Sequence, residues 1–298
     1  MLLDSASMYF RAFHGVPESV TSPDGLPIGA VRGFLDAITR MLADNPATDL
    51  VACFDDDWRP EWRVALVPEY KAHRVATGST DEFEEEVPDA LGPQVPIIEE
   101  VLDAIGLCRI GVAEFEADDV IGTLATGQHM PVDVVTGDRD LFQLVDDDAS
   151  VAVLYIGKGF AKVERVTDEW LVNKYGVHAS GYADFATLRG DPSDGLPGVR
   201  GVGDKSAAAV IGEFGTVDAL LEALADPAAL VPFRAKIQGA EDYLTRAIEV
   251  VRVRRDVPLP PHETSVPPQV ADPDRLTFLA ERWGLGRSLD RLKSVLGL

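Results

Sequence analysis

Val132-Asp-Val-Val-Thr-Gly-Asp-Arg-Asp140 is a short apolar run that stops at a glycine, with two aspartates just beyond it. The same shape appears where Leu50-Val-Ala-Cys-Phe54 runs into Asp55, and in miniature where Leu2-Leu3 runs into Asp4. Apolar runs of this length, bounded by turn residues, read as strands buried on both faces. Cys108–Val112 and Val151–Tyr155 read the same way. Between them lie helical patterns. Apolar residues recur at Ile28, Val31, Leu35, Ile38 and Leu42, which predicts an amphipathic helix over Ile28 to Ala43, and further helices are predicted over Val95–Ile105 and Ala117–Thr126. Short strands alternating with helices predict an α/β fold with a mainly parallel central sheet flanked by helices. Sites in such sheets form outside the carboxyl ends of the strands, which is where the aspartates fall.

Beyond about residue 165 the pattern changes to helices punctuated by Gly and Pro: Asp204–Phe214, Val217–Ala225, Ala240–Val250, Pro273–Trp283 and Gly286–Val295. Pro258–Pro268, with five prolines, reads as a linker or extended segment. Asp56–Pro93 has no clean periodicity. It carries Arg59, Arg63, Lys71, His73 and Arg74, then six acids within Asp81–Asp89, and so reads as a lid or arch.

Composition narrows the classes. The chain has 298 residues, 46% of them hydrophobic, enough for a sizeable core. No apolar run reaches membrane-spanning length, and Met1-Leu-Leu-Asp4 is no signal peptide, so a soluble, cytoplasmic protein is expected. Cys53 and Cys108 sit in apolar surroundings and read as reduced core thiols, which excludes a disulfide framework or a zinc site. The formal charge of −23 is uneven: residues 1–150 hold 30 acids and 9 bases, residues 151–298 hold 20 and 18. The first half is a candidate cation binder, and the second can meet an anion.

Asp4, Asp55, Glu116, Asp118, Asp119, Asp138, Asp140, Asp191 and Asp194 come from five segments predicted to meet at one sheet edge. A single Asp at a helix start or after a strand is ordinary capping or turn chemistry. Nine together would repel one another, and bound divalent cations resolve that. Oxygen ligands without nearby Cys or His favour Mg²⁺ or Mn²⁺. Nine acids exceed the needs of one ion, and two ions about 3.5–4 Å apart suit phosphodiester cleavage.

Glu116-Ala-Asp-Asp119, Thr136-Gly-Asp-Arg-Asp140, and Gly190-Asp-Pro-Ser-Asp-Gly-Leu-Pro-Gly-Val199 leading into Gly201-Val-Gly-Asp-Lys-Ser206 closely resemble the bacterial 5′→3′ exonuclease / flap endonuclease family, which includes the 5′-nuclease domain of DNA polymerase I. The likeness runs in order to about residue 290. It implies a PIN-like nuclease core in residues 1–180, with a helical arch at about 56–93. It also implies a helical DNA-binding region in 181–298 with a helix–hairpin–helix at about 188–214. By the resemblance, Asp4, Asp55, Glu116, Asp118 and Asp119 surround a first metal, and Asp138, Asp140, Asp191 and Asp194 a second, with Asp118 or Asp138 shared. Whether a third ion uses the excess stays open. Tyr70-Lys71-Ala-His-Arg74 matches the family's Tyr-Lys-x-x-Arg element, which implies that Lys71 and Arg74 contact the scissile phosphate and Tyr70 the DNA. Taken as sequence alone, both cations read as solvated surface residues. Gly195 departs from the pattern, standing where many relatives have Asn, and only three residues precede Asp4.

Gly198-Val-Arg-Gly-Val-Gly203-Asp-Lys-Ser206 is not a P-loop, because Asp204 separates Gly203 from Lys205. Glycines that let a backbone approach a phosphate, followed by a helix start, fit a hairpin that binds DNA backbone through Arg200, Gly201, Gly203, Lys205 and Ser206. The resemblance adds K⁺ on the hairpin carbonyls. Arg234, Lys236, Arg246, Arg252, Arg254 and Arg255 are candidates to extend this face. The expected function is a structure-specific 5′ nuclease for DNA flaps or 5′ ends in replication and repair. It is expected to be monomeric, with a separate polymerase or ligase as a candidate partner. The alternatives are a PIN-like metal-dependent ribonuclease and a catalytically inactive branched-DNA scaffold.

Overall fold

A computed structural model describes all of residues 1–298. The strands are β1 (Leu2–Asp4), β2 (Val51–Cys53), β3 (Cys108–Ile110), β4 (Val132–Thr136), β5 (Val151–Tyr155) and β6 (Glu164–Val166). The helices are α1 (Ser5–Gly15), α2 (Gly29–Asp44), α3 (Glu61–Leu66), α4 (Val95–Ile105), α5 (Ala117–Ala125), α6 (Asp168–Tyr175) and α7 (Tyr182–Arg189). They continue as α8 (Asp204–Phe214), α9 (Val217–Ala225), α10 (Arg234–Ile237), α11 (Glu241–Val251), α12 (Pro273–Trp283) and α13 (Gly286–Leu296).

The strands form one sheet in the order β3-β2-β1-β4-β5-β6, parallel except for β6, which runs against β5. Three-residue β1 is central. Leu2 lies opposite both Val51 and Val134, and Asp4 lies opposite Cys53. Because side chains alternate along a strand, Leu3, Ala52, Val135 and Leu154 pack on one face against α2 and α4, while Leu2, Val51, Val134 and Val153 pack on the other against α5 and the later helices. Burial on both faces explains why the runs are continuously apolar.

α1, unforeseen in the sequence, begins at the residue after β1. Asp4 is its N-cap and accepts from Ser7 N at 3.0 Å. The proline-rich stretch is no free linker. Leu50 N donates to Thr264 O at 2.8 Å and Val266 N to Thr48 O at 2.9 Å, which pins the stretch beside β2. It thereby carries α12 and α13 back to the face formed by α2 and α4.

The arch differs from the helical expectation. It holds one short helix, α3, a 3₁₀ turn over Ala72–Arg74 and, at its end, a second one over Gly92–Gln94. The chain then folds back on itself, with Ala76 N donating to Glu84 O at 2.7 Å and Glu86 N to Arg74 O at 2.8 Å. Thr77-Gly-Ser-Thr80 has poor helix propensity and the acids that follow repel one another, so a bridged loop wins. Buried Arg59 ties this loop to the arch base, donating to the carbonyls of Pro68, Tyr70 and Glu82.

Candidate active site

The carboxyl ends of β1, β2 and β4 open into a cleft of about 540 Å³ lined by Asp4, Asp55, Glu116, Asp118, Asp138 and Asp191, with Lys71 and Arg74 on its arch side. Thr136 Oγ1, at the end of β4, donates to Asp4 Oδ2 at 2.6 Å, which joins the two central strands at the cleft floor. Asp55 accepts from Ala117 N at 2.7 Å and so ties β2 to the start of α5. Asp138 Oδ1 accepts from Asp140 N at 2.9 Å in a tight turn.

Asp191 and Asp194 arrive on a compact loop closed by reciprocal hydrogen bonds between Asp191 and Leu196, each 2.9 Å. Gly198 makes this loop possible. Its φ is +63°, and a Cβ there would lie 2.4 Å from Arg189 O. Gly195 fits the arch base in a similar way. Its φ is +72°, and a Cβ would lie 2.3 Å from Glu69 O. Beside it Lys71 N donates to Asp194 O at 2.9 Å, so the arch base and the acidic loop are stitched backbone to backbone.

Lys71 is held in the left-handed region, φ +50°, which is costly for a non-glycine residue and typical of functional positions. Its ammonium contacts Glu116 and donates to Trp58 O at 3.2 Å. Tyr70 Oη donates to Glu116 Oε1 at 2.8 Å. Arg74 donates to Ser193 O at 2.6 Å and to Asp194 Oδ1 at 2.7 Å. Two cations are therefore poised at the cleft wall.

Burial pushes the Asp4 carboxyl up to about 7, despite its hydrogen bonds from Thr136 and Ser7. Desolvation raises Asp118 and Asp140 well above the usual carboxylate range, and neighbouring Asp138 adds to both. Asp55 and Asp194 are also raised by burial, offset in part by Lys71. Asp140 Oδ1 is buried with no hydrogen-bond partner. As the side chains stand, no three acids close tightly enough to enclose an ion among themselves, because most are turned toward protein donors. The set nonetheless fits hard cations. Its donors are all oxygens, several are desolvated without a counter-charge, and one is orphaned.

Asp119, Asp140 and Asp194 do not line the cleft, and Asp119 is turned furthest into the protein. It is fully buried, and both of its oxygens face Arg63, at 2.7 Å each. Arg254 N donates to Oδ1 at 2.8 Å and Glu116 N to Oδ2 at 3.3 Å. Arg63 also reaches Glu116 Oε1 and Val250 O at 3.1 Å each, which locks α3 to α5 and α11. Arg63 carries no signal of this in the sequence. Arg11 also lines the cleft, donating to Gly137 O and Gly157 O; its place seven residues, two helical turns, after Asp4 could have found it.

The hairpin lies between α7 and α8. Arg200, Gly201, Gly203 and Lys205 are exposed, and Ser206 Oγ accepts from Gly203 N at 3.0 Å. Most of the further bases have partners within the fold. Arg234 donates to four carbonyls, Arg252 pairs with Asp184, Arg254 with Asp256, Arg246 reaches Leu66 O, and Arg255 reaches Gln143 O. Arg234 and Arg252 are half-buried, while Lys236, Arg246, Arg254 and Arg255 remain exposed. No helix is long and apolar enough to cross a membrane.

The family described as 5′-3′ exonuclease, N-terminal resolvase-like domain, matches residues 1–176, and its C-terminal SAM fold matches residues 177–274. A 5′-3′ exonuclease of Streptomyces coelicolor is 56% identical over 299 residues, spanning 99% of each chain. One of Mycobacterium tuberculosis is 47% identical over 310 residues, spanning 99% of this chain and 97% of that one. The D15 flap endonuclease of bacteriophage T5, solved as a pseudo-enzyme-product complex with DNA and metal ions, superposes with a TM-score of 0.64 over 100% of this chain and 99% of that one, at 16% identity.

Proposed function

The chain belongs to the 5′-3′ exonuclease family, and from that premise we propose that it is a structure-specific 5′ nuclease that hydrolyses DNA phosphodiesters at 5′ ends and 5′ flaps. The observation that carries this reading is the cleft in which desolvated acids from β1, β2, β4 and the Gly190–Gly198 loop face Lys71 and Arg74.

The division of labour follows the fold. The sheet and arch within residues 1–180 supply the reacting groups. The helices from α7 to α11, with the hairpin at 188–214, grip duplex backbone, and α12 and α13 brace the core. Asp4, Asp55, Glu116 and Asp118 would hold one divalent cation, Mg²⁺ or Mn²⁺, and Asp138, Asp140, Asp191 and Asp194 a second. Bound there, the cations would supply Lewis acidity to the phosphodiester oxygens and make water a better nucleophile. Asp119 keeps the start of α5 in place through Arg63 and so presents Glu116 and Asp118.

Lys71 and Arg74 approach the cleft from the arch, bound to Glu116 and Asp194. A phosphate entering between them exchanges these carboxylate contacts for its own oxygens, and the two cations stabilise charge that grows on those oxygens. The N–H groups of Asp204 and Lys205 at the start of α8 lack intrahelical partners and suit a duplex phosphate. Such contacts position the substrate without reading its sequence.

The test is an end-labelled 5′-flap duplex incubated with Mg²⁺ or Mn²⁺, with and without EDTA. Metal-dependent cutting near the flap junction is expected. Cleavage of RNA in preference to the flap would replace the reading with a ribonuclease, and tight flap binding without cutting in either metal would replace it with a scaffold.

A further inference from the structure

One contact at the hairpin is not explained by the grip on DNA. Gly201, at its tip, has φ +78°, and its carbonyl accepts a hydrogen bond from Lys236 Nζ at 2.9 Å. Lys236 belongs to α10, 35 positions further along the chain. Its stem lies across the turn, so that a Cβ on Gly201 would come within 3.8 Å of Lys236 Cδ. The ammonium also lies 5.4 Å from the centre of the Phe233 ring, within reach of a cation–π attraction. Phe233 is itself left-handed, φ +57°.

This presentation is built, because Arg234 donates to the carbonyls of Ala223, Leu224, Asp226 and Ala229 at 2.8–3.1 Å and fixes the segment that carries Lys236. Within the turn, Val199 O is taken by Val202 N, and Gly203 O by the N–H groups of Ser206 and Ala207. Gly201 O is the carbonyl met by a charged group.

A turn with an outward carbonyl is a natural seat for a monovalent cation, and the expectation from resemblance was K⁺. Here a tethered ammonium already holds Gly201 O and competes with that ion for the turn. We propose that Lys236 is the resident cation of the hairpin. It replaces a bound K⁺, fixes the Gly198–Gly203 turn, and keeps its two remaining N–H donors for a DNA phosphate beside Lys205. The inference rests on the hairpin being a DNA grip. Its consequence is a grip that does not distinguish K⁺ from other monovalent cations, unlike one that must recruit the ion.

The experiment measures binding of the full chain to a 5′-flap duplex by fluorescence anisotropy in EDTA, so that no cutting occurs. It compares KCl, NaCl and LiCl at equal ionic strength. The wild-type Kd should agree across the salts within about 2-fold. Lys236→Ala should bind about 5–20-fold more weakly in LiCl and NaCl and recover much of the loss in KCl, where K⁺ can reach the vacated carbonyl. Lys236→Arg, which keeps the positive charge, should bind like wild type in all three salts, and thermal melts should show all three proteins folded.

Wild-type binding several-fold tighter in KCl than in LiCl would overturn the proposal, as would Lys236→Ala binding like wild type throughout. A uniform loss in Lys236→Ala without recovery in KCl would make Lys236 a phosphate contact only and overturn the replacement of K⁺. If wild type failed to bind the flap in any salt, the DNA-grip reading would fall, and the inference with it.

Discussion

Arg63→Met tests whether the Arg63–Asp119 pair holds the arch to the nuclease core. Arg63 is 2% exposed and Asp119 0% exposed, and their charges meet at 2.7 Å in two places. The substitution keeps most of the stem volume, so cavity formation contributes little. What it leaves is a fully buried carboxylate with only two backbone donors, and a Glu116 with one fewer cation. Removing one partner of such a pair costs about 3–5 kcal/mol, a large share of the roughly 5–15 kcal/mol that holds a fold together. At about 2–4 °C per kcal/mol for a chain of this order of size, Tm should fall by roughly 6–20 °C. Thermal melts at neutral pH measure this directly. Arg63→Met combined with Asp119→Leu removes both charges and should be more stable than the sum of the two single changes implies, with a coupling of at least about 1 kcal/mol. A drop of less than about 2 °C in Arg63→Met, or strict additivity in the pair, would show that the pair does not hold the arch to the core.

Three further outcomes follow from the same geometry. Asp4 titrates near 7, and Asp55, Asp118, Asp140 and Asp194 are raised, so the folded state holds protons that the unfolded chain, with carboxyls near pH 4, has released. This stabilisation is present below about pH 4 and is lost as pH rises through 7. In EDTA the cluster should therefore lower Tm between pH 5 and pH 8, and Mg²⁺ should restore more at pH 8, where the acids are ionised; equal Mg²⁺ stabilisation at both values would contradict this. Gly195→Ala places a Cβ against Glu69 O at φ +72° and should cost about 1–3 kcal/mol while slowing cleavage by displacing Lys71; unchanged melting and turnover would count against the stitched arch base. Lys71→Met should lower kcat about 10²–10³-fold with flap binding little altered, and a change confined to KM would move Lys71 from charge stabilisation to substrate binding.

The regular elements were legible where periodicity is strong. The bounds of α4, α8, α9 and α12 agree with the sequence expectation residue for residue, as do those of β4 and β5. α1 was not legible, because it opens with two serines, Ser5 and Ser7, and only Ser5, Met8 and Ala12 are buried. Asp118 and Asp119 show why the candidate site was legible only as a group. They are neighbours in one helical turn, about 100° apart, and the inward one is chosen by Arg63, 56 positions away. Two of the basic residues were hidden for a related reason. Composition counts Arg234 and Arg252 as surface charge, but loop carbonyls and Asp184 capture them in the fold.

Asp138→Asn probes the acid cluster at its centre, since Asp138 follows β4, is the neighbour that raises both Asp118 and Asp140, and changes only one oxygen for nitrogen. Cleavage and binding of a 5′-flap duplex should be measured side by side in Mg²⁺. Flap binding should stay within a few-fold of wild type, with cleavage at the junction reduced at least about 10³-fold. Cleavage within about 10-fold of wild type in the folded variant would contradict a nuclease centre built on these acids.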